Sequence, residues 1–181
     1  MLTGATVTFN GIDADNRIML STQAAGALPA GAYVKSSGES EFAVYDTTAG
    51  IIAMTGGATA ADYADASTAL IANRVNRPTA TFTPTATTVN GLRLGNFNLG
   101  GTATITLNPT AGTRTGILKT GATASSIGSA ITLGAATTEL VVNVEDSGTG
   151  TLTLTGAISG SGKGLTKTGA GTLILSGANA Y

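Results

Sequence analysis

The chain has 181 residues, a net charge of −1, 42% hydrophobic and 10% charged side chains, and no His, Cys or Trp. Near-neutral charge without a basic run excludes a nucleic-acid surface built on many Lys/Arg–phosphate contacts, and the hydrophobic content is too high for a disordered chain. Without His or Cys there is no Ser-His-Asp triad, thiol nucleophile or imidazole or thiolate zinc site, and no apolar run approaches the roughly 18–20 residues of a membrane span.

Taken in order, Thr3-Gly4-Ala5-Thr6-Val7-Thr8-Phe9 alternates and reads as a strand ended by the turn dipeptide Asn10-Gly11. Arg17-Ile18-Met19-Leu20 is a second short apolar run, Leu28-Pro29-Ala30-Gly31 a loop, and Ala32-Tyr33-Val34 a third strand candidate. Phe42-Ala43-Val44-Tyr45-Asp46 and Ile51-Ile52-Ala53-Met54 follow, split by Thr47-Thr48-Ala49-Gly50. Residues 60–72 are Ala-rich with poor apolar spacing, which predicts a short helix or an ordered loop. Pro78-Thr79-Ala80-Thr81-Phe82-Thr83-Pro84 has Pro at both ends, which restricts it to an exposed edge strand. Residues 1–88 therefore read as irregular, β-rich N-terminal coils or a cap, since terminal repeats of solenoids are atypical.

From Thr88 onward a repeat emerges, so residues 89–181 are expected to be regular coils. One series of strand starts is Leu92, Ile117, Leu140 and Leu165; another is Ile105, Ile131, Leu152 and Leu173. Two interleaved series with a period in the low twenties describe a solenoid, here two stacked parallel sheets with connecting segments as the third side. The pairs Ile105/Leu107, Ile131/Leu133, Leu152/Leu154 and Leu173/Leu175 occupy alternate positions and are expected to form one buried aliphatic ladder. The outward neighbours would form two columns, Thr104, Ala130, Thr151, Thr172 and Thr106, Thr132, Thr153, Ile174. Such columns are good strand formers, and a flat Thr array is also what ice-binding solenoids use. Lys119-Thr120-Gly121-Ala122 recurs as Lys167-Thr168-Gly169-Ala170. The fold class expected is all-β, a parallel β-helix, right-handed because parallel crossovers almost always are.

The last stretch reads Gly160-Ser161-Gly162-Lys163-Gly164-Leu165-Thr166-Lys167-Thr168-Gly169-Ala170-Gly171-Thr172-Leu173-Ile174-Leu175-Ser176-Gly177-Ala178-Asn179-Ala180-Tyr181. It closely resembles the autotransporter-associated β-strand repeat, whose consensus reads like G-S-G-x-L-T-K-T-G-A-G-T-L-x-L-S-G-A-N-x-Y. The Phe42–Asp46 segment also looks like what precedes the repeats in long passengers of that family. The resemblance implies a right-handed parallel β-helix in the passenger part of a protein exported across the bacterial outer membrane. Residues 1–20 lack the basic start and apolar core of a secretory signal. The chain stops inside the repeat motif, so it reads as an excerpt of a longer protein.

Acids are the remaining source of catalysis, and Asp13, Asp15, Glu39, Glu41, Asp46, Asp62, Asp65, Glu139, Glu145 and Asp146 do not recur at the coil period. Glu145-Asp146 before Ser147-Gly148 reads as a solvated turn. Asp13-Ala14-Asp15-Asn16 hints at a calcium loop, but Arg17 stands where the loop Gly should be. Gly160-Ser161-Gly162-Lys163 has no helix after it and is a turn rather than a phosphate cradle. No catalytic, cofactor or metal residue is assigned.

The function this points to is a non-enzymatic stalk on the bacterial surface, supporting adhesion and assisting translocation. A second reading is an adhesin module for a glycan or cell-surface ligand, with Tyr33, Phe42, Tyr45 and Tyr63 as exposed aromatics. A third is a carbohydrate-active β-helix enzyme, which needs acids converging in one groove. No nucleic-acid partner and no membrane insertion of this segment are expected. An open last rung, with no charge after Lys167, predicts end-to-end self-association or fraying.

Overall fold

The structure is a computed structural model that describes residues 7–11, 17–21, 23–28, 30–36, 38–57, 62–110, 114–145 and 150–181. Among these there is no helix; every element is a strand. The first five build an antiparallel meander: β1 (Val7–Asn10), β2 (Gly26–Ala27), β3 (Ala32–Ser36), β4 (Glu39–Asp46) and β5 (Gly50–Ala53). β4 is its centre, antiparallel to β2, β3 and β5, while β1 joins β3 in parallel. The turn into β5 needs Gly50, whose φ is +82° and whose Cβ position lies 2.5 Å from the Ile18 carbonyl oxygen.

All later strands pair in parallel and stack as a β-solenoid of about six turns. The chain enters with β6 (Ala64–Ala66) and β7 (Val75–Pro78), then makes β8 (Thr87–Val89), β9 (Gly91–Leu94), β10 (Thr104–Leu107) and β11 (Arg114–Lys119). It continues through β12 (Ser125–Ile127), β13 (Ala130–Leu133), β14 (Glu139–Val144), β15 (Thr151–Leu154), β16 (Ile158–Ser159), β17 (Gly164–Thr168) and β18 (Thr172–Leu175). Sheet one stacks β6, β7, β9, β11, β14 and β17; sheet two stacks β12, β15 and β18; sheet three stacks β8, β10, β13 and β16. Bridges Phe82↔Leu99 and Leu99↔Ile127 carry sheet two back to the earlier coils. From β7 onward each coil visits sheets one, two and three in that order, so the third side is a real sheet rather than connecting segments.

The helical or loop expectation for residues 60–72 is overturned in part, because Ala64–Ala66 is strand β6. Ala64 and Ala66 turn inward and pair with Asn76 and Pro78, and pairing outweighs a weak helix propensity. Residues 58–61 lie outside the described residues. Pro78 is likewise not on an edge strand: β7 lies between β6 and β9. It is tolerated because β9 pairs β7 only at Val75 and Asn76, so no ladder bond on that side needs a Pro78 N–H. Parallel stacking thus begins upstream of residue 89.

The interior is aliphatic. Ile105 and Leu107 lie in register with Ile131 and Leu133 on sheet three, while Leu152 and Leu154 lie in register with Leu173 and Leu175 on sheet two. The expected single ladder is therefore two ladders on two sides of one core. The residue stacked on Ile131 is Ile158, not Leu152. All eight still pack into the same cluster, the last coil's Leu173 and Leu175 only partly buried. The threonine columns divide the same way. Sheet three carries an outward row of Thr88, Thr106, Thr132 and Ser159, and sheet two carries Thr153 beside Ile174.

Corner residues stitch each coil to its neighbour. Asn98 accepts from Ser126 N–H (2.7 Å), Asn108 from Ala136 N–H (3.0 Å) and Asn179 from Ile158 N–H (2.9 Å). These side chains satisfy backbone donors that the sheets leave behind where the chain turns. Inside the last coil Lys163 donates across to the carbonyls of Gly134 (3.0 Å) and Thr137. The lysines of the two Lys-Thr-Gly-Ala segments both bend onto the glycine carbonyl two residues ahead, Lys119 onto Gly121 (2.9 Å) and Lys167 onto Gly169 (2.5 Å).

Candidate functional site

The ion pairs of Arg93 and of Lys35 lie where the meander rests on the outer face of sheet one. This seam is built by alternation. Phe42 and Val44 of β4 face the solenoid and cluster with Tyr33, Met54, Tyr63, Val75 and Leu118. Ala43 and Tyr45 face the other way and pack with Val34 and Ile51. Gly116 supplies the floor: a Cβ there would sit 2.8 Å from Phe42 Cε1 and 3.1 Å from the Ala30 Cβ.

Arg93, on the outward side of β9, is 8% exposed. Its Nη2 donates to Glu41 Oε1 (2.7 Å) and Glu39 Oε2 (2.9 Å). Its Nε lies 2.6 Å from Glu41 Oε2, an ion-pair contact rather than a well-aligned hydrogen bond. Tyr63 lies between two guanidinium groups, with Arg77 at 5.2 Å and Arg93 at 5.9 Å from its ring centroid. Burial, reinforced by the Glu41 charge, pushes the Tyr63 phenol well above its ordinary value, so it stays neutral and accepts the Phe42 N–H (2.9 Å). Further along, Glu145 accepts from Ser40 N–H (3.0 Å) and Ser40 Oγ (2.5 Å), with the Lys35 ammonium 3.7 Å away.

Glu145 is thus not the solvated turn residue that its neighbours Ser147-Gly148 suggest; its side chain is only 11% exposed and holds the meander. Asp146 lies outside the described residues, as do Asp13 and Asp15 of the calcium-like loop. Glu39 and Glu41 do converge, but on Arg93. A carboxyl pair working as acid and base needs its two members in different environments, and the shared Arg93 guanidinium gives Glu39 and Glu41 the same partner. The four aromatics expected to be exposed for ligand contact are all buried: Tyr33 and Tyr63 at 0%, Tyr45 at 4% and Phe42 at 6% exposure. They are core and seam residues, which removes the observation that motivated an aromatic binding surface.

Two other titrating groups are shaped by this fold. Burial pushes the Lys119 ammonium below its ordinary value; its stem lies in register with Leu94 and Val144, and the carbonyls of Thr120 and Gly121 accept its hydrogen bonds. The Arg77 guanidinium, bonded to Asp65 at 2.7 and 2.9 Å, holds that carboxyl below the usual carboxylate range. A carboxylate lowered in the folded state adds stability that is full above its unfolded value of about 3.9 and is lost as pH falls through the folded value. Asp65→Asn is therefore expected to weaken the protein at pH ~6, with the gap to wild type narrowing progressively as pH falls below the unfolded value of about 3.9. Urea unfolding at pH ~6 and at successively lower pH checks this. A gap that does not change with pH would show that the pair is not titrating.

Among the described residues, no group of three or more Asp or Glu side chains is placed to hold a metal ion. No described helix is long and apolar enough to cross a membrane. Compared with protein-family models, curated proteins and solved structures, the chain matches none, and the resemblance of residues 160–181 rests on those residues themselves.

Proposed function

We propose that this chain is a structural, non-enzymatic segment of a secreted or surface-displayed autotransporter-type passenger. It acts as a β-helical stalk outside the cell, holding distal modules away from the surface and helping passage across the outer membrane by folding progressively. The observation that carries this reading is how residues 160–181 use their motif. They complete one coil, with Leu165 stacked on Leu140, Leu173 on Leu152 and Leu175 on Leu154. Ser176 N–H bonds back to the Leu154 carbonyl and Ala180 N–H to that of Ile158. The motif is thus a self-contained rule for adding one coil to the coil before it. Because each coil contacts only its neighbours, folding can propagate along the rod and supply a directional pull.

The test places the chain between a signal peptide and an outer-membrane β-barrel translocator and measures its exposure to protease on intact cells. The unaltered chain is expected at the surface. Leu173→Asp with Leu175→Asp, which removes the stacking of the last coil, is expected to reduce display at least tenfold. Equal display of both, or retention of both inside, would overturn the proposal.

A further inference from the structure

The meander contributes nothing to the solenoid's interior core and meets the solenoid only in the outer cluster of Tyr33, Phe42, Val44 and Met54 with Tyr63, Val75 and Leu118. The interior cluster runs from Ala66 to Ile158, with Phe82, Leu165, Leu173 and Leu175 packed against it, and contains no meander residue. The outer face of the meander has its own cluster, in which Phe9, Ile18 and Leu28 lie against Val34, Tyr45 and Ile51. Among the described residues, the seam joins the two bodies. Its apolar part rests on Val75, Leu118 and the Gly116 floor, and its polar part on Arg93 and Glu145. These contacts come from β7, β9, β11 and the residue after β14, so one short meander reaches across successive coils.

The Glu145 contact is conditional on what lies beneath it. Its backbone N–H donates to the Lys119 carbonyl (3.0 Å), which holds Glu145 in place only once β14 has paired with β11. Its carboxylate then captures both donors of Ser40, a residue 105 positions earlier. We infer that the meander is a clasp whose last latch, Ser40 on Glu145, closes only over a solenoid built out through β14, and that opens without unravelling the coils beneath. The latch couples the first strands of the chain to completion of a distant coil, so a solenoid wound only through β11 holds its meander by the Phe42 seat and Arg93 alone and a finished one carries it locked.

Hydrogen exchange read by mass spectrometry on the whole chain tests this. Glu145→Gln keeps the shape of the side chain and removes its charge. Exchange in residues 39–46 is expected to accelerate at least tenfold, with residues 104–107, 130–133 and 151–154 within twofold of wild type. Ser40→Ala removes one of the two donors from the meander side and is expected to accelerate the same segment several-fold, again sparing the coils. Unchanged protection of residues 39–46 in both variants would overturn the clasp. So would proportional acceleration of the coils, or a Glu145→Gln chain that fails to fold, since either would mean that the solenoid depends on the meander.

Discussion

Ile131→Ala is expected to lower stability by about 4 kcal/mol, a fall in Tm of roughly 10 °C for a chain of this size. Ile131 is fully buried and stacked between Ile105 and Ile158, which are themselves fully buried. Truncation removes three carbons from a column whose backbone spacing is fixed at about 4.8 Å by the sheet hydrogen bonds, so the coils above and below cannot close the gap. That rigidity puts the effect toward the upper part of the range for buried aliphatic truncations. The adjoining Thr132 points outward and exchanges a 3.1 Å hydroxyl contact with Ser159. Thr132→Ala should cost no more than about 1 kcal/mol. Urea unfolding of the two variants decides it. Similar losses would mean that sheet three is not packed with Ile131 inward.

That contrast between neighbours was legible in the sequence, because period-two alternation states which side chains share a face. It does not state which side of a solenoid that face belongs to. From β9 onward sheet one keeps a constant interval of 25 residues, with Gly91, Gly116, Val141 and Thr166 in one row. The other two sides absorb loops of unequal length, so Leu152, 21 residues after Ile131, looks like its successor although it belongs to the next sheet. The true successor, Ile158, lies in a two-residue strand too short to show alternation. Local pattern fixes inward and outward; register depends on corner lengths that carry no apolar signal.

The seam was less legible still. Ser40 and Glu145 meet across 105 residues, and neither has a neighbour that announces the other. Arg93 reads as an ordinary outward charge until Glu39 and Glu41 are laid on it. One clue was present. Phe42-Ala43-Val44-Tyr45 is apolar at four successive positions, and such a run marks a strand covered on both faces. Its aromatics belong to a buried middle layer for that reason, with Phe42 against sheet one and Tyr45 under Phe9 and Ile18.

Gly156→Ala is expected to cost about 3 kcal/mol or more, although it adds one methyl group near the surface. At this corner between sheets two and three, successive coils approach through their backbones. A Cβ on Gly156 would lie 2.1 Å from the Ser129 carbonyl oxygen and 2.7 Å from that of Gly128. One coil later, a Cβ on Gly177 would lie 2.4 Å from the Gly156 oxygen, so the corner repeats the same close approach. Overpacking usually costs about 1–3 kcal/mol because side chains can shift. Here the obstructing atoms are backbone, held by the bonds from Thr155 N–H to the Ile127 carbonyl (2.9 Å) and from Ile131 N–H to the Ala157 carbonyl (2.8 Å). Relief therefore requires the two coils to separate, which opens the ladder that Ile131 and Ile158 share. Gly95 is the control, since nothing lies within 4 Å of its Cβ position and its φ is not in the left-handed region. Gly95→Ala should be neutral or stabilise by about 0.5 kcal/mol through the unfolded chain. If the two alanine variants unfold at the same urea concentration, the coils are not in backbone contact at this corner, and the glycines of the repeat are there for turning alone.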